Sequence, residues 1–599
     1  MTGSTQRSVL VAVRTETSLY RMLDVVPLFA GDKRVDLSFT VVPGSDFGHR
    51  LPALLDAAGM PHLPWSKAVD SRAHLALAAS PNGDLHRLRA PLMLVPHGAG
   101  FNKRLTTTAV TTSQQGEQEE QDAPEASGLS ARQLLHQGRV TASLIGLAHP
   151  DQLKRLARSC PPAAAHARVI GDPCLDRMLA GRARREAYRR ALGGGDGRRL
   201  IVLSSTWGKR SLYESLTALP ARLLAELPYD EYRVVLALHP NVWAQHSPWL
   251  VRHWLADALD AGLVLLAPDE GWRAAVVAAD CVIGDHGSVA LYAAALDRPV
   301  MLVGDGGREV VPGSPLTTLA ALAPGLDPGA ELREQVARAV EGYRPGALRG
   351  AADQTFDLVG GSAGALRSLM YGVLGLAEPA RAPAVRALPA PDPALRPAAA
   401  LQTWTRITAR RPDGLTVLVE RFPAAVEQYA TREAHPEARV HLLVDVDRCD
   451  DLRLLQNAVV VLGSATAAGA ESNDPDDGAE RAAALLAQHP RARAAAVTAG
   501  PGRLRLSLRN GPSSTVSVVP GTSSTDAAST PTPPAPSTPT STELAVAASA
   551  LYAACCDRQR PVPEATRATR AAGAAAGPPG EVTVLIGGRR LRLLPVALR

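Results

Sequence analysis

The sequence predicts an α/β protein whose larger part is a pair of Rossmann-like domains. Three observations predict it. Short apolar, β-branched runs alternate with longer helical patterns from the start of the chain to about residue 375. Those runs lack strict polar–apolar alternation, as expected of strands covered on both faces in a parallel sheet. They also fall into two series of about five, parted near residue 165, as two βαβ-wound sheets would require. At 599 residues the chain is too long for a single hydrophobic core, so several domains are expected.

In the first series SVLVAV (8–13), VDLSFTVV (35–42), PLMLVP (91–96), TASLIG (141–146) and ARVIG (167–171) read as strands. In the second, RLIVLSS (199–205), RVVLALH (233–239), GLVLLAP (262–268), CVIGD (281–285) and PVMLVG (299–304) do so. The domains are drawn at 1–165 and 166–376. Intervening segments such as SLYESLTALPARLLAEL read as helices, and the polar, acidic TSQQGEQEEQDAPEASG (112–128) as a surface loop. AEPARAPAVRALPAPDPALRPAAA places a Pro/Ala-rich linker at 377–400. Residues 401–511, with ARVHLLVDV, NAVVVLGS and RLRLSL, predict a small α/β or α+β module. The Ser/Thr/Pro-rich stretch 512–543 holds too little apolar surface to order itself and is expected to be disordered. Residues 544–599 predict a short helix and a terminal β-hairpin, with Gly587 and Gly588 in its turn.

Composition narrows the function. The chain is 46% hydrophobic and 20% charged, and its formal charge of +6 is mild for its length. That charge tolerates an anionic ligand but is not the concentrated basic stripe of a nucleic-acid binder. The six cysteines form no CxxC and no His/Cys cluster with zinc spacing, so no metal or other cofactor is expected. No signal peptide is visible, and LAVAASALYAACC is too short to span a bilayer. A cytoplasmic location with reduced thiols is the expectation.

In open α/β sheets ligands sit beyond the carboxyl ends of strands, so the polar residues that follow each strand are the candidates. LVPHGAGFNKR (94–104) runs from a strand into His97 and Gly98, with Lys103 six residues on. A histidine can take a proton from a hydroxyl near neutrality; it can equally be a loop histidine beside turn glycines. In VIGDPCLDRML (169–179), Asp172 suits a helix N-cap and Pro173 the first helical position. VLSSTWGKR (202–210) offers Ser204, Ser205, Thr206 and Lys209 at a crossover start, where hydroxyls and amides suit a phosphate. LALHPNVW (236–243) ends a strand on His239. Finally, VIGDHGS (282–288) puts Gly284, Asp285, His286, Gly287 and Ser288 where a strand becomes a helix, a place that favours an anion. A carboxylate would repel a phosphate, so Asp285 fits better as the holder of a loop or of a hydroxyl-bearing ligand part.

Together these stretches resemble the CDP-glycerol glycerophosphotransferase-like branch of the GT-B enzymes, which make teichoic-acid-type and capsular polymers. PHGAGFNK is similar to the family's Trp-His-Gly motif and following lysine, with Pro96 in place of tryptophan. GDPCLD resembles Gly-x-Pro-Arg-x-Asp, with Cys174 for arginine and Asp176 retained. SSTWGK echoes Pro-Thr-Trp-Arg with Gly208 at the arginine position. His239-Pro240 matches a His-Pro dipeptide. DHGSVALYAAALDRP resembles the Asp-Tyr-Ser-Ser segment, keeping Asp285, Ser288 and Pro299 but carrying His286, Gly287 and Tyr292. The resemblance covers about residues 85–305.

The resemblance implies a GT-B fold with a cleft between the two Rossmann-like domains and a transferase acting without metal. His97 and Asp176 would be catalytic, with His97 as the base. His239, Asp285, His286, Gly287, Ser288, Thr206, Lys103 and Lys209 would hold the phosphates of a nucleotide-diphosphate donor, CDP-glycerol or a nucleotide-sugar. The acceptor would be a hydroxyl, often lipid-linked in such enzymes, which would bring the protein to the inner face of the membrane; no nucleic acid is implied. Two alternatives stand beside this. The turn at 284–288 is also similar to that of nucleotide-sugar 2-epimerases of the same fold, and the arginines missing at 174 and 208 suit a catalytically inactive scaffold that binds nucleotide or polymer.

Overall fold

A computed structural model describes residues 6–96, 98–105, 125–195, 197–412, 414–464, 477–498, 500, 502–520, 539–558 and 580–596. The first sheet holds seven parallel strands: β1 (Arg7–Val13), β2 (Val35–Val41), β3 (His62–Leu63), β4 (Leu75–Ala78), β5 (Leu92–Leu94), β8 (Leu144–Leu147) and β9 (Ala167–Val169). Their order is β3-β2-β1-β4-β5-β8-β9, and β6 (Leu135–His136) and β7 (Arg139–Val140) form a separate ribbon. The second sheet holds β10 (Arg199–Ser205), β11 (Tyr232–Leu238), β12 (Val264–Leu265), β13 (Cys281–Gly284) and β14 (Val300–Leu302), ordered β12-β11-β10-β13-β14. In each sheet the winding direction reverses at one point, beside β1 and beside β10, and such a reversal opens a crevice at the strands' carboxyl ends.

Burial on both faces explains the apolar runs. On β10, Leu200 and Val202 enter the core on one side of the sheet, while Ile201 and Leu203 enter the core on the other. β3 and β4 lie outside the expected set: β3 has two residues, and Leu75–Ala78 is half alanine. Most of the acidic segment expected as a surface loop lies outside the described residues.

The two halves are laced together. The helix Ser362–Leu374 packs Leu366, Met370 and Tyr371 against Val9 and Val11 of the first sheet, and the Tyr371 hydroxyl donates to Asp32 at 2.8 Å. The Pro/Ala-rich stretch 377–400 is bound rather than free. Leu388 is fully buried, and its carbonyl accepts hydrogen bonds from the Tyr188 hydroxyl (2.7 Å) and Arg184 (3.1 Å).

The C-terminal part corrects three expectations. There is no separate module followed by a hairpin. A closed nine-stranded barrel takes in β15 (Ala400–Arg411), β16 (Gly414–Pro423), β17 (Arg439–Asp445), β18 (Val460–Ser464), β19 (Ala494–Thr498), β20 (Arg503–Leu508), β21 (Ser513–Pro520), β22 (Glu581–Ile586) and β23 (Arg589–Pro595). The expected terminal hairpin, β22 and β23, supplies two of its staves and closes it by parallel pairing of β22 with β16. Residues 513–520, expected to be disordered, form a stave as well. Their Ser/Val alternation points Val516 and Val518 inward.

The lumen is filled by the helix Ser541–Arg558, which touches all nine strands. A helix apolar on every side must be buried, and a barrel of this size has room for little more than side chains. Alanine resolves that conflict: Ala547, Ala548, Ala550 and Ala554 are fully buried against Val417, Leu443, Leu504, Val584 and Leu593. One polar pair shares the lumen, His441 Nε2 with Ser549 Oγ at 3.1 Å. No helix among the described residues is long and apolar enough to cross a membrane.

The barrel docks on the second domain at the amino-terminal ends of the strands, away from the crevice. Arg421 makes a buried bidentate pair with Asp230 (2.9 and 2.6 Å), and Val426 enters the second domain's core.

Two outcomes follow from the lumen. Ala550→Leu forces extra methylenes into filled space and should destabilise the protein by about 1–3 kcal/mol, read as a lowered urea midpoint of the barrel transition. Burial pushes the His441 imidazole down to about 4, from 6.5. Between those values the unfolded chain binds the proton that the folded chain refuses. Stability is therefore intact above about pH 6.5 and falls as pH drops toward 4, by about 3 kcal/mol in all. Denaturation at the two pH values checks this, and His441→Gln should flatten the difference.

Candidate active site

At the reversal of the second sheet, the turns after β10 and β13 lie side by side, and one carboxylate joins them. Asp285, 1% exposed, accepts hydrogen bonds from the backbone N–H groups of Thr206 (2.9 Å), Gly287 (3.0 Å) and Leu212 (2.9 Å). The Ser205 hydroxyl lies 3.3 Å from it and itself accepts from the Tyr213 N–H at 2.9 Å. Burial raises the Asp285 pKa above the usual carboxylate range, while the donated amides pull it back down. Asp285 is absent from the cavity wall. It is the holder of the turns, and its assignment to phosphate binding is corrected on that ground.

The turns it holds line a cavity of about 250 Å³ between the two domains. Thr206, His239, His286, Gly287 and Ser288 face it from the second domain, and Lys103 from the first. His239 caps the helix Pro240–His246, its Nδ1 accepting from the Asn241 N–H at 3.1 Å. Ser288 stands before the helix Val289–Ala295, and its side chain makes no capping bond. A Cβ on residue 287 would sit 3.2 Å from Asp285 Oδ1, so glycine there lets the turn close on its own carboxylate.

The first domain reaches across by main chain. Asn102 accepts from the Val311 N–H (2.8 Å), and the Arg104 N–H donates to the Glu309 carbonyl (2.8 Å). Lys103 thereby comes over the Trp207 ring, its Nζ 4.3 Å from the centroid. Desolvation lowers the Lys103 pKa, against the opposing pull of Glu309 and Asp285. Phe47 meets the same indole edge-on at 5.1 Å, so Trp207 is gripped by two loops of the other domain.

The far end of the cavity was not expected from the sequence. Arg21, on the helix Glu16–Val25, donates to Asp172 (3.2 Å) and to the Tyr292 hydroxyl (2.9 Å), which in turn donates to Asp172 (2.9 Å). Arg273 and Arg177 both donate to Asp24, at 2.8 and 2.6 Å, and Arg177 also grips Glu270. Arg21 and Arg273 line the cavity, each 3% exposed, and each Nε lacks a hydrogen-bond partner. Cys174 lies among them, its thiol pushed up to about 12, chiefly by burial, so it offers no thiolate. Two guanidiniums from other elements thus lie near Cys174.

Two further assignments are corrected. Asp176 lies outside the cavity: it accepts from the Gly360 N–H (2.6 Å), the Ser362 N–H (3.0 Å) and the Ser362 hydroxyl. It anchors the start of the helix Ser362–Leu374. Lys209 is exposed and does not line the cavity either. His97 lies outside the described residues, while its neighbours Gly98 and Ala99 line the cavity. Among the described residues no group of three or more His, Cys, Asp or Glu side chains could hold a metal ion.

No family model matches the chain, and no curated protein does. The solved structures similar to it include two kinds. The wall teichoic acid polymerase TagF is 12% identical, with a TM-score of 0.43 over 62% of this chain and 89% of that one. The UDP-N-acetylglucosamine 2-epimerase from Neisseria meningitidis bound to UDP-GlcNAc is 13% identical, with a TM-score of 0.39 over 61% and 100%. A third, the S. aureus MnaA–UDP structure, is 11% identical, with a TM-score of 0.37 over 64% and 100%. These are likenesses of chain path, and no activity follows from them.

Asp285→Asn would turn an NH2 toward amides that need an acceptor. The variant should lose about 1–3 kcal/mol of stability, and any ligand of the cavity should bind more weakly to it. Urea denaturation and calorimetry test both.

Proposed function

We propose that the protein is a GT-B-type transferase that moves a glycerophosphate-like or glycosyl group from a nucleotide-diphosphate donor to a hydroxyl acceptor, in the synthesis of a cell-envelope polymer. The observation that carries this reading is the cavity at the sheet reversal, where Asp285 holds two turns open toward Lys103. Amides and hydroxyls at such a turn suit phosphate oxygens. In this reading His239, His286, Ser288, Thr206 and the Gly287 turn take the diphosphate, and Lys103 adds charge. Arg21 and Arg273 line the other end, and their guanidiniums stand near the position of the family arginine absent at 174.

With CDP-glycerol as donor, His97 removes the acceptor's hydroxyl proton as that oxygen attacks the phosphorus of the glycerophosphoryl group. The new P–O bond forms while the anhydride P–O bond breaks, and CMP leaves with the bridging oxygen. The acceptor's lipid linkage and the work at the inner face of a membrane belong to the same proposal. Asp176, Asp285 and Lys209 take no part in contacting substrate.

A binding scaffold without turnover is the second reading. It is favoured by the carboxylates Asp24, Asp172 and Glu270, which neutralise the three arginines at the far end.

Calorimetry with CDP-glycerol and UDP-sugars, followed by product analysis with hydroxyl acceptors, separates these readings from each other and from an epimerase, which isomerises its sugar without acceptor. His97→Ala should lower turnover by about 10²–10⁴-fold with donor affinity kept. A variant with full turnover would remove the base from this scheme.

A further inference from the structure

Of the chain's seven tryptophans only two stand out in solvent, and one short helix carries both. Trp249 is 71% exposed and Trp254 52%, on the helix Pro248–Trp254. Each indole is set against an imidazole. Trp249 lies parallel to His253, with 6° between the planes and 5.1 Å between centroids, and Trp254 meets His246 edge-on at 5.0 Å. Glu214, 3.2 Å from Nε2, steadies His246 in turn. Ser247, at φ +61 and ψ 150, turns the chain into this helix and caps it, its hydroxyl accepting from the Leu250 N–H at 3.4 Å. That backbone region is left almost entirely to glycine, so the corner that presents the rings is strained. The patch is also joined to the cavity. The preceding helix, Pro240–His246, starts from His239 in the cavity wall and ends at His246 beside Trp254, a run of about 10 Å. Since His253 and Trp254 are neighbours in the chain, the rings form a series from His246 out to Trp249.

Exposed aromatic surface of this kind marks a binding site, and charge and size narrow its occupant. Residues 240–260 carry one arginine, Arg252, no lysine, and the acids Asp257 and Asp260. Such a segment has little pull on an anionic bilayer, which draws clustered Lys and Arg, or on a phosphate-rich chain. Two indoles bury at most about 500 Å², less than the roughly 800 Å² per partner of a stable protein interface. A neutral saccharide fits both limits. A pyranose lays its C–H face on an indole, while its hydroxyls stay in water or meet Arg252 and the imidazoles alongside. We propose that Trp249 and Trp254 form a saccharide platform, which holds a neutral glycan of the acceptor while its end reaches along Pro240–His246 into the cavity. The inference rests on the transferase reading and deepens it by naming the chemical class of the acceptor. Both tryptophans bind the glycan at a distance from the reacting atoms.

The test is calorimetry of the full-length protein with the uncharged glycans chitohexaose and cellohexaose, beside titrations with CDP-glycerol and UDP-N-acetylglucosamine. The wild type should bind one of the two glycans. Trp249→Ala and Trp254→Ala should each weaken that binding by about tenfold, with donor affinity and melting temperature kept. Trp249→Phe, which preserves a flat ring, should retain most of the affinity. The bound glycan, carrying a photoreactive group at either end in turn, should from one end label the cavity-lining residues 98–103 or 286–289. No binding of either glycan, binding unchanged in both Ala variants, or label confined to residues outside the cavity overturns this inference. Donor binding in the same samples then leaves the transferase reading standing. Tryptophan-dependent binding to phosphatidylglycerol–phosphatidylcholine vesicles, or tryptophan-dependent dimers in light scattering, without glycan binding, overturns it in favour of that occupant. No binding of either donor overturns the reading itself and the inference with it.

Discussion

The cavity exists because a buried carboxylate is kept from water by the amides it collects. Asp285 lies where two turns of the second sheet meet, and each turn would otherwise carry unpaired N–H groups into a closed space. An unsatisfied buried donor costs about 1–3 kcal/mol, so the shared acceptor sets the separation of the turns. Ser205, Thr206, Leu212 and Gly287 take their places from it. The side chains of Thr206, His286 and Ser288 are among those that line the cavity.

The contacts between the domains differ at the two ends of this space. At one end they are main-chain bonds and an indole clasped by Lys103 and Phe47. At the other they are charges: three arginines against Asp24, Asp172 and Glu270, drawn from helices of both halves. Interior ion pairs seldom add net stability over well-packed apolar residues. They do demand particular partners, so the cluster fixes which surfaces of the two domains can meet. The cavity between them then has an aromatic and hydroxyl-bearing floor at Tyr20, Trp272 and Tyr292 and a histidine-rich rim at 239 and 286.

The sequence made the second sheet readable because its strands are apolar on both faces, as Leu200 through Leu203 show. It also made the positions of the polar turns readable, since each follows a strand. It could not say which way a side chain points. Asp285 and Asp176 both follow glycine-bearing turns, yet both face inward, Asp176 toward amides of residues 360 and 362 far along the chain. Arg21 carried one overlooked signal: it sits between Leu19 and Met22 on the apolar side of an amphipathic helix, where a charge needs a partner. The barrel gave little sign of itself. Its lumen helix is alanine-rich and its staves at Ala494–Thr498 and Ser513–Pro520 are small or polar. The pairing that closes it joins residues very distant in the chain.

That closing seam makes the C-terminal half an all-or-nothing structure. β16 pairs with β22, and β21 with β23, across stretches of chain that include the helix filling the bore. Long loops must be closed before any of these contacts gives a return, which makes such topologies slow to assemble. The two parallel sheets close shorter loops than the β16–β22 pairing does, the longest being that between β10 and β13. During synthesis those sheets can therefore form while the barrel is still an unsealed sheet, with the alanine helix exposed and two raw margins open to other chains. Removing the last two staves would hold the molecule in that unsealed form.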